Sequence, residues 1–590
     1  MLIKSKNYLD IRLLSEGGQM KNSEVARILR NISILLDMDD VPFKPRAYEK
    51  AALTIDALED DVDETYQKGG LKALKQIPGV GESIAEKIEE LVKTGKLAYY
   101  EELRKKAPVD LESLSRIEGL GPKKIKVLWQ KLGIKNADDL EKAAMTHKIS
   151  GLPGFKQKTE ENILKGIEFA KKSQGRYILG FTLPLIREIE NRLKTCPEVK
   201  KAMAAGSVRR MRETVGDVDF LVVSDNPDEV AEFFVSMPEV VQVIEKGKTK
   251  SAVKLETGLN ADVRIIPEES FGAALQYFTG NKAHNIALRR IAIDKGWKLN
   301  EYGLFDNELQ IAGRTEEEVY KKLGLKWIPP ELRENTGEIE AARKDELPNL
   351  IDYNDLKGDL QVHSNWTDGQ NSIEEMAKQA KKNGLEYIVI SDHTKYLAMT
   401  GGLDEKGLLK QRKEIDQVNR NIEGFTILQG AEINILRSGD LDISDAALKK
   451  LDVVSVGVHS HFNMNKEEMT KRVLEALENP NVDILVHPTT REIQKREPIP
   501  LDLDMVIEAA KQNKTILDVD SYPDRLDLKD EQIKKAIQFG VKLGISSDSH
   551  STVHFHYLEL GIAQARRGWA TANDVVNTRK LEEFRELLKS

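Results

Sequence analysis

Seven short apolar runs follow residue 355, and a helical pattern separates each run from the next. The runs read GDLQVHS, YIVISDH, TILQGAEI, DVVSVGVHS, DILVHP, TILDVDS and KLGISSDSH. Buried parallel strands alternate with helices in β/α folds, because each helix returns the chain to the same end of the sheet. The sequence therefore predicts a seven-stranded β/α barrel over residues 355–590.

Histidine and acidic residues follow the carboxyl ends of these runs, which is the edge where barrels assemble active sites. Five of the 10 histidines occupy such positions, so a purely structural role for the whole set is the weaker interpretation. The single cysteine, Cys196, leaves His, Asp and Glu as metal ligands, a mixture that suits Zn, Mn or Fe rather than Ca. The predicted ligands are His363, Asp368, His393, Glu432, His459, His487, Asp548 and His550.

Residues 355 to about 585 resemble a PHP domain, the polymerase and histidinol phosphatase family. The resemblance implies nine ligands for a three-metal cluster in a distorted seven-stranded barrel, with Glu432 bridging two ions and a phosphoester as substrate. The first ligand is usually histidine but is Gln361 here, which offers only a weaker carbonyl oxygen. Because the other eight positions match, we expect an altered but working site that favours Mn over Zn.

Three histidines lie outside the matched positions. We expect His461 to face the substrate, and His554 and His556 to be ordinary surface or packing residues.

A second group of carboxylates lies in the segment GSVRRMRETVGDVDFLVV, residues 206–223. Asp217 and Asp219 are two apart on a predicted strand, so both side chains project from one face, where a divalent cation would relieve their repulsion. Asp262 begins another predicted strand that can lie alongside. A D-x-D pair alone is weak evidence, but the glycine-serine, the basic pair and the later aspartate together resemble the nucleotidyltransferase superfamily.

Over residues 20 to about 340 the chain resembles a family X DNA polymerase, the group that contains DNA polymerase beta. The segments PRAYEKAA, IPGVGESIAEKIEELVKTGKL, GSVRRMRETVGDVD, YFTGNKAHNIALR and WIPPELRE carry the resemblance. It implies that Asp217 and Asp219 hold two Mg²⁺ ions and that Asp262 binds the catalytic one and polarises the primer 3′-hydroxyl. It also implies contacts by Ser207 and Arg210 with the triphosphate, Tyr277 and Phe278 with the sugar, Asn285 with the minor-groove edge and Arg289 with the template. Gly206 is predicted to let the backbone approach the same substrate closely.

Three glycine turns between helical segments form an internal repeat: IPGVG at 77–81, IEGLG at 117–121 and ISGLPG at 149–154. They resemble helix-hairpin-helix motifs, whose backbone N–H groups grip a DNA phosphate without reading sequence. Ordinary helical hairpins are the alternative. The predicted DNA contacts are Gly79, Gly81, Gly119, Gly121, Lys123, Lys124, Gly151 and Gly154.

Lys87 resembles the Schiff-base lysine with which the polymerase beta family removes 5′-deoxyribose phosphate. Lys44, Tyr48 and Lys50 also match that pocket, but Ser83 replaces one of its lysines. In the surrounding E-K-x-E-E pattern, a solvated ion pair is the alternative role for Lys87.

Charge and composition limit the partners. A net charge of -8 argues against coating nucleic acid through bulk charge, and the absence of a long apolar stretch or a signal peptide predicts a cytoplasmic protein without a membrane span. Glu16-Gly17-Gly18 before Met20 matches a translated ribosome-binding site, so we expect residues 1–19 to be a non-native leader.

The predicted fold is multidomain α/β, with helical helix-hairpin-helix domains, a nucleotidyltransferase palm containing a mixed β-sheet, and a distorted PHP barrel. The predicted boundaries are 20–104 (DNA-binding and lyase-like), 105–175 (helix-hairpin-helix), 176–268 (palm), 269–337 (nascent base pair), 338–354 (linker) and 355–590 (barrel).

The predicted function is a monomeric repair DNA polymerase that fills gapped or nicked duplex DNA from deoxynucleoside triphosphates. The barrel, with up to three Mn²⁺ or Zn²⁺ ions, would add an Mn²⁺-dependent 3′–5′ exonuclease. A 3′-phosphatase or an abasic-site endonuclease is a further activity that the same site could carry. Three alternatives remain: a barrel that binds metal only for structure, a template-independent nucleotidyltransferase, and a small-molecule phosphatase.

Overall fold

The computed structural model describes residues 22–56, 58, 61–115, 117, 120–172, 175–397 and 400–589. The predicted leader and Gly119 therefore lie outside the described residues. The chain divides into two compact units, Met1–Lys172 and Ser173–Ser590. None of the helices in the described part of the chain is both long and apolar enough to cross a membrane.

The described part of the first unit is helical. Its helices bury apolar residues at helical spacing, as in α4, where Ile84, Ile88 and Leu91 line one buried face. The helices are α1 (Asn22–Met38), α2 (Lys44–Asp56), α3 (Val62–Leu74), α4 (Glu82–Thr94), α5 (Ala98–Lys106), α6 (Leu111–Ser115), α7 (Pro122–Leu132), α8 (Ala137–Met145) and α9 (Gln157–Lys172).

Each of the three glycine turns of this unit contains the same type of backbone hydrogen bond. In each turn, a leucine or valine N–H donates to the carbonyl of a buried isoleucine three residues earlier. The pairs are Val80 to Ile77 at 3.0 Å, Leu120 to Ile117 at 3.1 Å and Leu152 to Ile149 at 3.0 Å. The sequence repeat is therefore also a structural repeat.

The second unit begins with a mixed five-stranded sheet in the order β2-β4-β7-β6-β5. β4 and β7 are parallel, and the other neighbouring pairs are antiparallel. β1 and β3 form a separate antiparallel pair. The elements are β1 (Tyr177–Ile178), α10 (Leu179–Thr195), β2 (Lys201–Ala204), α11 (Gly206–Arg209), β3 (Thr214–Val215), β4 (Asp217–Val223), α12 (Pro227–Val235), β5 (Val240–Lys246), β6 (Lys250–Leu255) and β7 (Asn260–Ile266).

The next region packs helices against an antiparallel three-stranded sheet, β8-β9-β10. Its interior contains a buried ion-pair group, in which Glu316 accepts hydrogen bonds from the guanidinium groups of Arg209 and Arg333. The elements are α13 (Phe271–Thr279), α14 (Lys282–Asp294), β8 (Lys298–Asn300), β9 (Gly303–Asp306), β10 (Leu309–Ala312), α15 (Glu316–Leu323) and α16 (Glu338–Lys344).

Helix α16 departs from the predicted linker over residues 338–354. Ile339 and Ala342 are buried in the core of the preceding region, and Glu338 accepts a hydrogen bond from His284 at 2.7 Å. The segment was predicted as a linker because most of its residues are charged or polar, but Ile339 and Ala342 form a small buried apolar face on α16. The first part of the predicted linker therefore packs as part of the region before it.

The third region is the seven-stranded barrel. All its strands are parallel and neighbour one another in chain order, and a bridge between Val362 and Ser549 brings the first strand beside the last. The elements are β11 (Gly358–Val362), α17 (Ile373–Lys382), β12 (Tyr387–Ile390), α18 (Glu405–Asn421), β13 (Thr426–Asn434), α19 (Asp445–Leu448), β14 (Val453–Gly457), α20 (Lys466–Leu477), β15 (Ile484–Leu485), α21 (Leu503–Asn513), β16 (Ile516–Asp520), α22 (Asp530–Phe539), β17 (Leu543–Ser546), α23 (Leu558–Arg567) and α24 (Leu581–Arg585).

Side chains along the barrel strands alternate between two apolar clusters, as the pleat of a strand requires. On β12, Ile388 and Ile390 join the larger cluster, whereas Tyr387 and Val389 join a smaller one. Phe584 of α24 belongs to the smaller cluster and stacks on Tyr387 with 5.3 Å between ring centres. The predicted fold class is confirmed, with each of the seven apolar runs forming one strand.

Candidate functional site

Three aspartates lie close together near the amino ends of β4 and β7, two neighbouring strands inside the five-stranded sheet. β4 and β7 pair in parallel so that Asp219 lies opposite Asp262, with Asp217 two residues away on β4. Lys250 Nζ lies 2.8 Å from Asp262, and Arg264 Nε lies 3.6 Å from Asp219. Burial raises the pKa of Asp219, and the other two aspartates add to this against the opposing charge of Arg264. Excess negative charge at one point suits a divalent cation.

Gly206 brings the backbone close to these carboxylates. Its φ of +63° favours glycine, and an added Cβ would lie 3.5 Å from Asp219 Oδ2. Ser207 is partly buried in the short helix α11. Arg210 donates a hydrogen bond to Glu334 at 3.0 Å and another to the Thr279 carbonyl. Of the residues predicted to hold the triphosphate, Gly206 lies beside Asp219, and Ser207 and Arg210 follow it in the same short segment.

The predicted sugar and template residues lie on α13 and α14. Tyr277 and Phe278 touch edge to face, with 5.1 Å between ring centres. Asn285 donates a hydrogen bond to the Tyr277 carbonyl at 2.6 Å and joins the two helices. Arg289 lies one turn further along α14 and donates to the Asn285 carbonyl at 3.3 Å. The structure brings these four residues together, while their contacts with DNA remain predictions.

The eight predicted ligands of the barrel converge on one point at the carboxyl ends of its strands. Glu432 is at the centre: its Oε1 lies 2.6 Å from His459 Nε2 and 2.8 Å from His487 Nε2. Its Oε2 lies 3.1 Å from His393 Nδ1 and 3.5 Å from His363 Nε2. One carboxylate therefore faces four imidazoles, an arrangement compatible with a ligand shared by two ions.

The remaining ligands complete the cluster on one side. Asp368 lies 3.4 Å from His393 Nε2 and 3.6 Å from His550 Nε2, and Asp548 lies 3.1 Å from His363 Nε2. Burial alone would lower the pKa of both His393 and His550. The nearby carboxylates outweigh burial and raise these values to about 9 and about 10.

The donor set fits divalent metal ions. Four buried ring nitrogens make no hydrogen bond of good geometry with the described residues: both nitrogens of His363 and the Nδ1 atoms of His393 and His487. Buried polar atoms seldom lack a partner, so these atoms point to a ligand. Two groups have ligand atoms that all lie within 4.8 Å of one another: His363 with Asp368, His393 and His550, and His393 with Glu432 and His459.

Gln361 occupies the position of the first of the nine ligands that the PHP resemblance implies. Its side chain is 1% exposed, and its Nε2 donates a hydrogen bond to Asp548 Oδ1 at 3.4 Å. Its Oε1 is buried without a hydrogen-bond partner among the described residues. The glutamine therefore reaches the cluster and has one oxygen available as a ligand.

The three barrel histidines outside the matched ligand positions differ in burial. His554 is buried and its Nδ1 accepts a hydrogen bond from the His550 N–H at 3.3 Å, so it supports the loop that carries a ligand. His556 is exposed. His461 is also exposed, and its contact with substrate remains a prediction.

Sequence reasoning missed residues that orient the predicted ligands. Asn434 Oδ1 accepts a hydrogen bond from His459 Nδ1 at 2.8 Å, which fixes the ring so that Nε2 faces Glu432. Arg264 was missed in the same way beside Asp219. The available signal was spacing, since Asn434 follows Glu432 by two residues and Arg264 follows Asp262 by two.

In the first unit, the charges of Glu86 and Glu90 act on Lys87, but neither carboxylate lies within 4 Å of its Nζ among the described residues. Its Nζ donates hydrogen bonds to the carbonyl and hydroxyl oxygens of Ser83 and lies 5.0 Å from the centre of the Tyr99 ring. Burial lowers the pKa of Lys87, and the positive charge of Lys44 adds to this effect. Tyr48, whose pKa burial raises to about 12, stacks on Tyr99.

The predicted DNA-binding glycines lie at the turns of this unit. Gly79 and Gly154 have φ of +78° and +84°. A Cβ built on Gly81, Gly121 or Gly151 would meet no atom within 4 Å. Lys123 is exposed and forms an ion pair with Asp40 at 2.8 Å.

Four family models match the chain. They are a helix-hairpin-helix domain over residues 20–97, a SAM-like helix-hairpin-helix tandem over 111–168, a DNA polymerase beta thumb over 274–334 and a PHP domain over 359–526.

Curated relatives match either the whole chain or a part of it. The DNA polymerase/3′-5′ exonuclease PolX of Bacillus subtilis (strain 168) is 38% identical over 575 residues, which cover 97% of this chain and 100% of the relative. A probable phosphatase of Thermoanaerobacter sp. (strain X514) is 31% identical over 229 residues, 37% of this chain and 88% of the relative. Another from Acetivibrio thermocellus is 32% identical over 187 residues, 30% of this chain and 73% of the relative. The full-length match shows that the chain belongs to the bacterial family X DNA polymerases that carry a carboxy-terminal PHP domain.

Proposed function

We propose that this enzyme is a repair polymerase that fills short gaps in duplex DNA and trims 3′ ends in its barrel. The observation that carries the proposal is the pairing of Asp219 with Asp262 on adjacent parallel strands, with Asp217 two residues away. Three carboxylates close together in the sheet, next to a glycine that lets a ligand approach, suit nucleotidyl transfer from a triphosphate.

In the polymerase site, each side chain has a separate task. Asp217 and Asp219 would hold two Mg²⁺ ions, and Asp262 would share one of them and face the primer 3′-hydroxyl. Ser207 donates a hydrogen bond to the triphosphate, and Arg210 neutralises part of its charge. Tyr277 and Phe278 face the sugar, Asn285 the minor-groove edge and Arg289 the template.

In the barrel, the predicted ligands would hold divalent cations that bind the 3′-terminal phosphodiester, and Gln361 would contribute its side-chain oxygen as a further ligand. The mixed imidazole and carboxylate set with one amide favours Mn²⁺ over Zn²⁺, because an amide oxygen is a harder ligand than imidazole. At both sites the bound cations would neutralise charge that develops during phosphoryl transfer, and those in the barrel would also activate a water molecule. A 3′-phosphatase or abasic-site endonuclease activity would use the same residues.

The helix-hairpin-helix turns supply grip without sequence preference, which suits gapped or nicked DNA. Their exposed glycines leave the backbone N–H groups open to a phosphate.

We propose that the enzyme acts in the cytoplasm as a monomer.

The test uses a 5′-labelled primer on a template. With Mg²⁺ and nucleotides, wild type and Asp548→Ala extend the primer, and Asp217→Ala/Asp219→Ala does not. With Mn²⁺ and no nucleotides, wild type and the double variant shorten the primer, and Asp548→Ala does not. If the double variant still extends the primer, the assignment of the polymerase site is wrong.

The barrel as a purely structural metal-binding module is the rival interpretation. Gln361 favours it, whereas the eight converging ligands oppose it. Nucleotide-dependent extension by wild type together with no shortening under any metal would establish the rival.

A 5′-deoxyribose phosphate lyase is a second candidate function, and one observation favours it. Lys87 is half-buried and donates a hydrogen bond to Ser83, and burial lowers its pKa although Glu86 and Glu90 act in the opposite direction. A lysine that loses its proton more readily is a better nucleophile for Schiff-base formation.

A further inference from the structure

A charged cluster joins the barrel to the segment that follows Gly206. It consists of Arg210, Arg212 and Glu334 from the polymerase side and Asp530 and Arg567 from the barrel. Glu334 is at the centre, where its Oε1 accepts hydrogen bonds from Arg210 Nε at 3.0 Å and Arg567 Nη1 at 3.2 Å. Arg212 Nη1 lies 3.8 Å from the same oxygen. One carboxylate is thus shared by three guanidinium groups.

The carboxylate of Glu334 also reaches the helix that carries the predicted template residues. Its Oε2 accepts a hydrogen bond from Asn281 Nδ2 at 2.7 Å, and Asn281 caps the first turn of α14. Burial would raise the pKa of Glu334, but Arg210, Arg567 and Arg212 outweigh burial and lower it. Glu334 is therefore an ionised link between the 206–212 segment and α14.

Arg567 anchors this link from the barrel. Its side chain is 2% exposed at the end of α23, and its Nη2 donates a hydrogen bond to Asp530 at the start of α22. Its Nη1 donates both to Glu334 and, at 2.9 Å, to the backbone carbonyl of Arg210. Arg567 thus contacts the backbone of Arg210 and the carboxylate that pairs with the Arg210 guanidinium.

We propose that Arg567 is a positioning residue of the polymerase reaction, through which the barrel sets how Arg210 meets the triphosphate of the incoming nucleotide. This inference rests on the triphosphate role of Arg210 in the proposed function. It gives the barrel a part in DNA synthesis that is independent of its metal ligands, because Arg567 lies on the outer helices.

The direction of the effect follows from charge. Without Arg567, Glu334 interacts with Arg210 and Arg212 alone, so its attraction for Arg210 increases. Glu334 then competes more strongly with the triphosphate for the Arg210 guanidinium. The side chains of Arg210 and Glu334 are only 13% and 17% exposed, so solvent and salt screen their attraction less than at the surface and the competition matters. The Arg210 backbone also loses its hydrogen bond to the barrel. Both changes weaken nucleotide binding and leave the three aspartates untouched.

The experiment measures primer extension by the full-length enzyme as a function of deoxynucleoside triphosphate concentration. Arg567→Ala should raise KM about tenfold, while kcat changes by less than about threefold. Shortening of the primer without nucleotides should stay at the wild-type rate, which shows that the barrel is folded. A wild-type KM in a folded Arg567→Ala enzyme overturns the inference.

Arg566→Ala is the matched control. Arg566 precedes Arg567 on α23 and also crosses to the polymerase side, with 2.7 Å from its Nε to Glu331 Oε1, but it does not contact Glu334 or Arg210. Its KM should equal that of wild type. An equal rise in both variants would mean general loosening of the interface and would refute the positioning role.

Two further variants make the result decisive. In a Glu334→Gln background the effect of Arg567→Ala should shrink, and an undiminished effect would show that the influence does not pass through Glu334. If Arg567→Ala does not fold, Arg567→Lys replaces it. The KM of Arg567→Lys should be higher than that of wild type but should rise by less than about tenfold. An unchanged KM rejects the inference. Failure of wild type to extend the primer would instead reject the proposed function.

Discussion

Gln361 donates a hydrogen bond through its side-chain amide to Asp548, and this contact joins the altered ligand position to a matched one. The other amide atom, Oε1, is buried without a partner among the described residues. Gln361 therefore contacts one predicted ligand and has an oxygen available to the cluster, which is a weaker donor than the imidazole expected from the PHP resemblance.

Gln361→His should tighten binding of the weakest ion about tenfold, because an imidazole is a better ligand for Mn²⁺ or Zn²⁺ than an amide oxygen. Metal content after dialysis against buffers of set free-metal concentration measures the change. Gln361→Leu, which keeps a similar volume without a donor atom, should weaken the same ion. Equal metal content in all three proteins would show that position 361 does not bind metal.

Asn434 should be as important as a ligand although it binds no ion. Its Oδ1 holds His459 Nδ1, so Asn434→Leu frees the imidazole to rotate away from Glu432. Loss of such a supporting contact weakens metal affinity by about 10-fold to 100-fold. Metal content measures the loss, and circular dichroism shows whether the variant is folded, because Asn434 Nδ2 also donates a hydrogen bond to Asp442 at 2.9 Å. If the leucine variant binds metal like wild type, the orientation of His459 does not depend on Asn434.

Glu316 should stabilise the region around α15 at neutral pH. Its carboxylate accepts hydrogen bonds from Arg209 and Arg333, so Glu316→Gln leaves buried guanidinium charge uncompensated and should destabilise this region by about 3 kcal/mol. Urea unfolding followed by tryptophan fluorescence measures the loss, since Trp327 Nε1 also contacts Glu316 at 3.1 Å.

The same carboxylate predicts a pH dependence. Burial would raise the pKa of Glu316, but Arg333 and Arg209 outweigh burial and lower it from 4.5 to about 2. Because the folded pKa is lowered, the stabilisation is fully present above pH 4.5 and is lost as the pH falls from there towards 2. The difference between wild type and Glu316→Gln should therefore shrink over this window, and a constant difference would contradict the assignment.

The barrel and most of its candidate site were predictable because their signals are local. Each buried strand is a short apolar run, and each ligand follows its run by a few residues, so one pattern reports both strand and site. His459 and His487 illustrate this: both follow β-branched or leucine-rich runs and both face Glu432.

Contacts between distant segments left no such pattern. Glu334 and Arg210 are separated by 124 residues, and Arg567 lies 233 residues beyond Glu334. An ion pair requires only two opposite charges, which are common in a chain with 32% charged residues, so spacing could not identify the partners. The packing of α16 was missed for a similar reason, because its two buried apolar residues, Ile339 and Ala342, are surrounded in sequence by charged residues.

Gly81 should be required by DNA rather than by the fold. A side chain there would meet no protein atom within 4 Å, and φ is -75°, which any residue adopts. Gly81→Ser keeps a good residue at the start of α4 and should leave the melting temperature unchanged. Its side chain would occupy the space of a phosphate, so affinity for gapped DNA should fall about tenfold, as measured by fluorescence anisotropy. Unchanged affinity would favour ordinary helical hairpins.

Lys87 should form a Schiff base with DNA that carries a 5′-deoxyribose phosphate. Burial and Lys44 lower the pKa of Lys87, so the neutral amine becomes available at a lower pH than for an ordinary lysine. Borohydride should therefore trap a covalent complex with wild type, and its yield should rise with pH and level off below the usual lysine value of 10.5. Lys87→Ala should give no complex, while Lys93→Ala, which removes a lysine of the same helix paired with Glu89, should trap like wild type. A complex that persists in Lys87→Ala would assign the chemistry to another amine, and no complex with wild type would leave Lys87 as a structural residue held by Ser83.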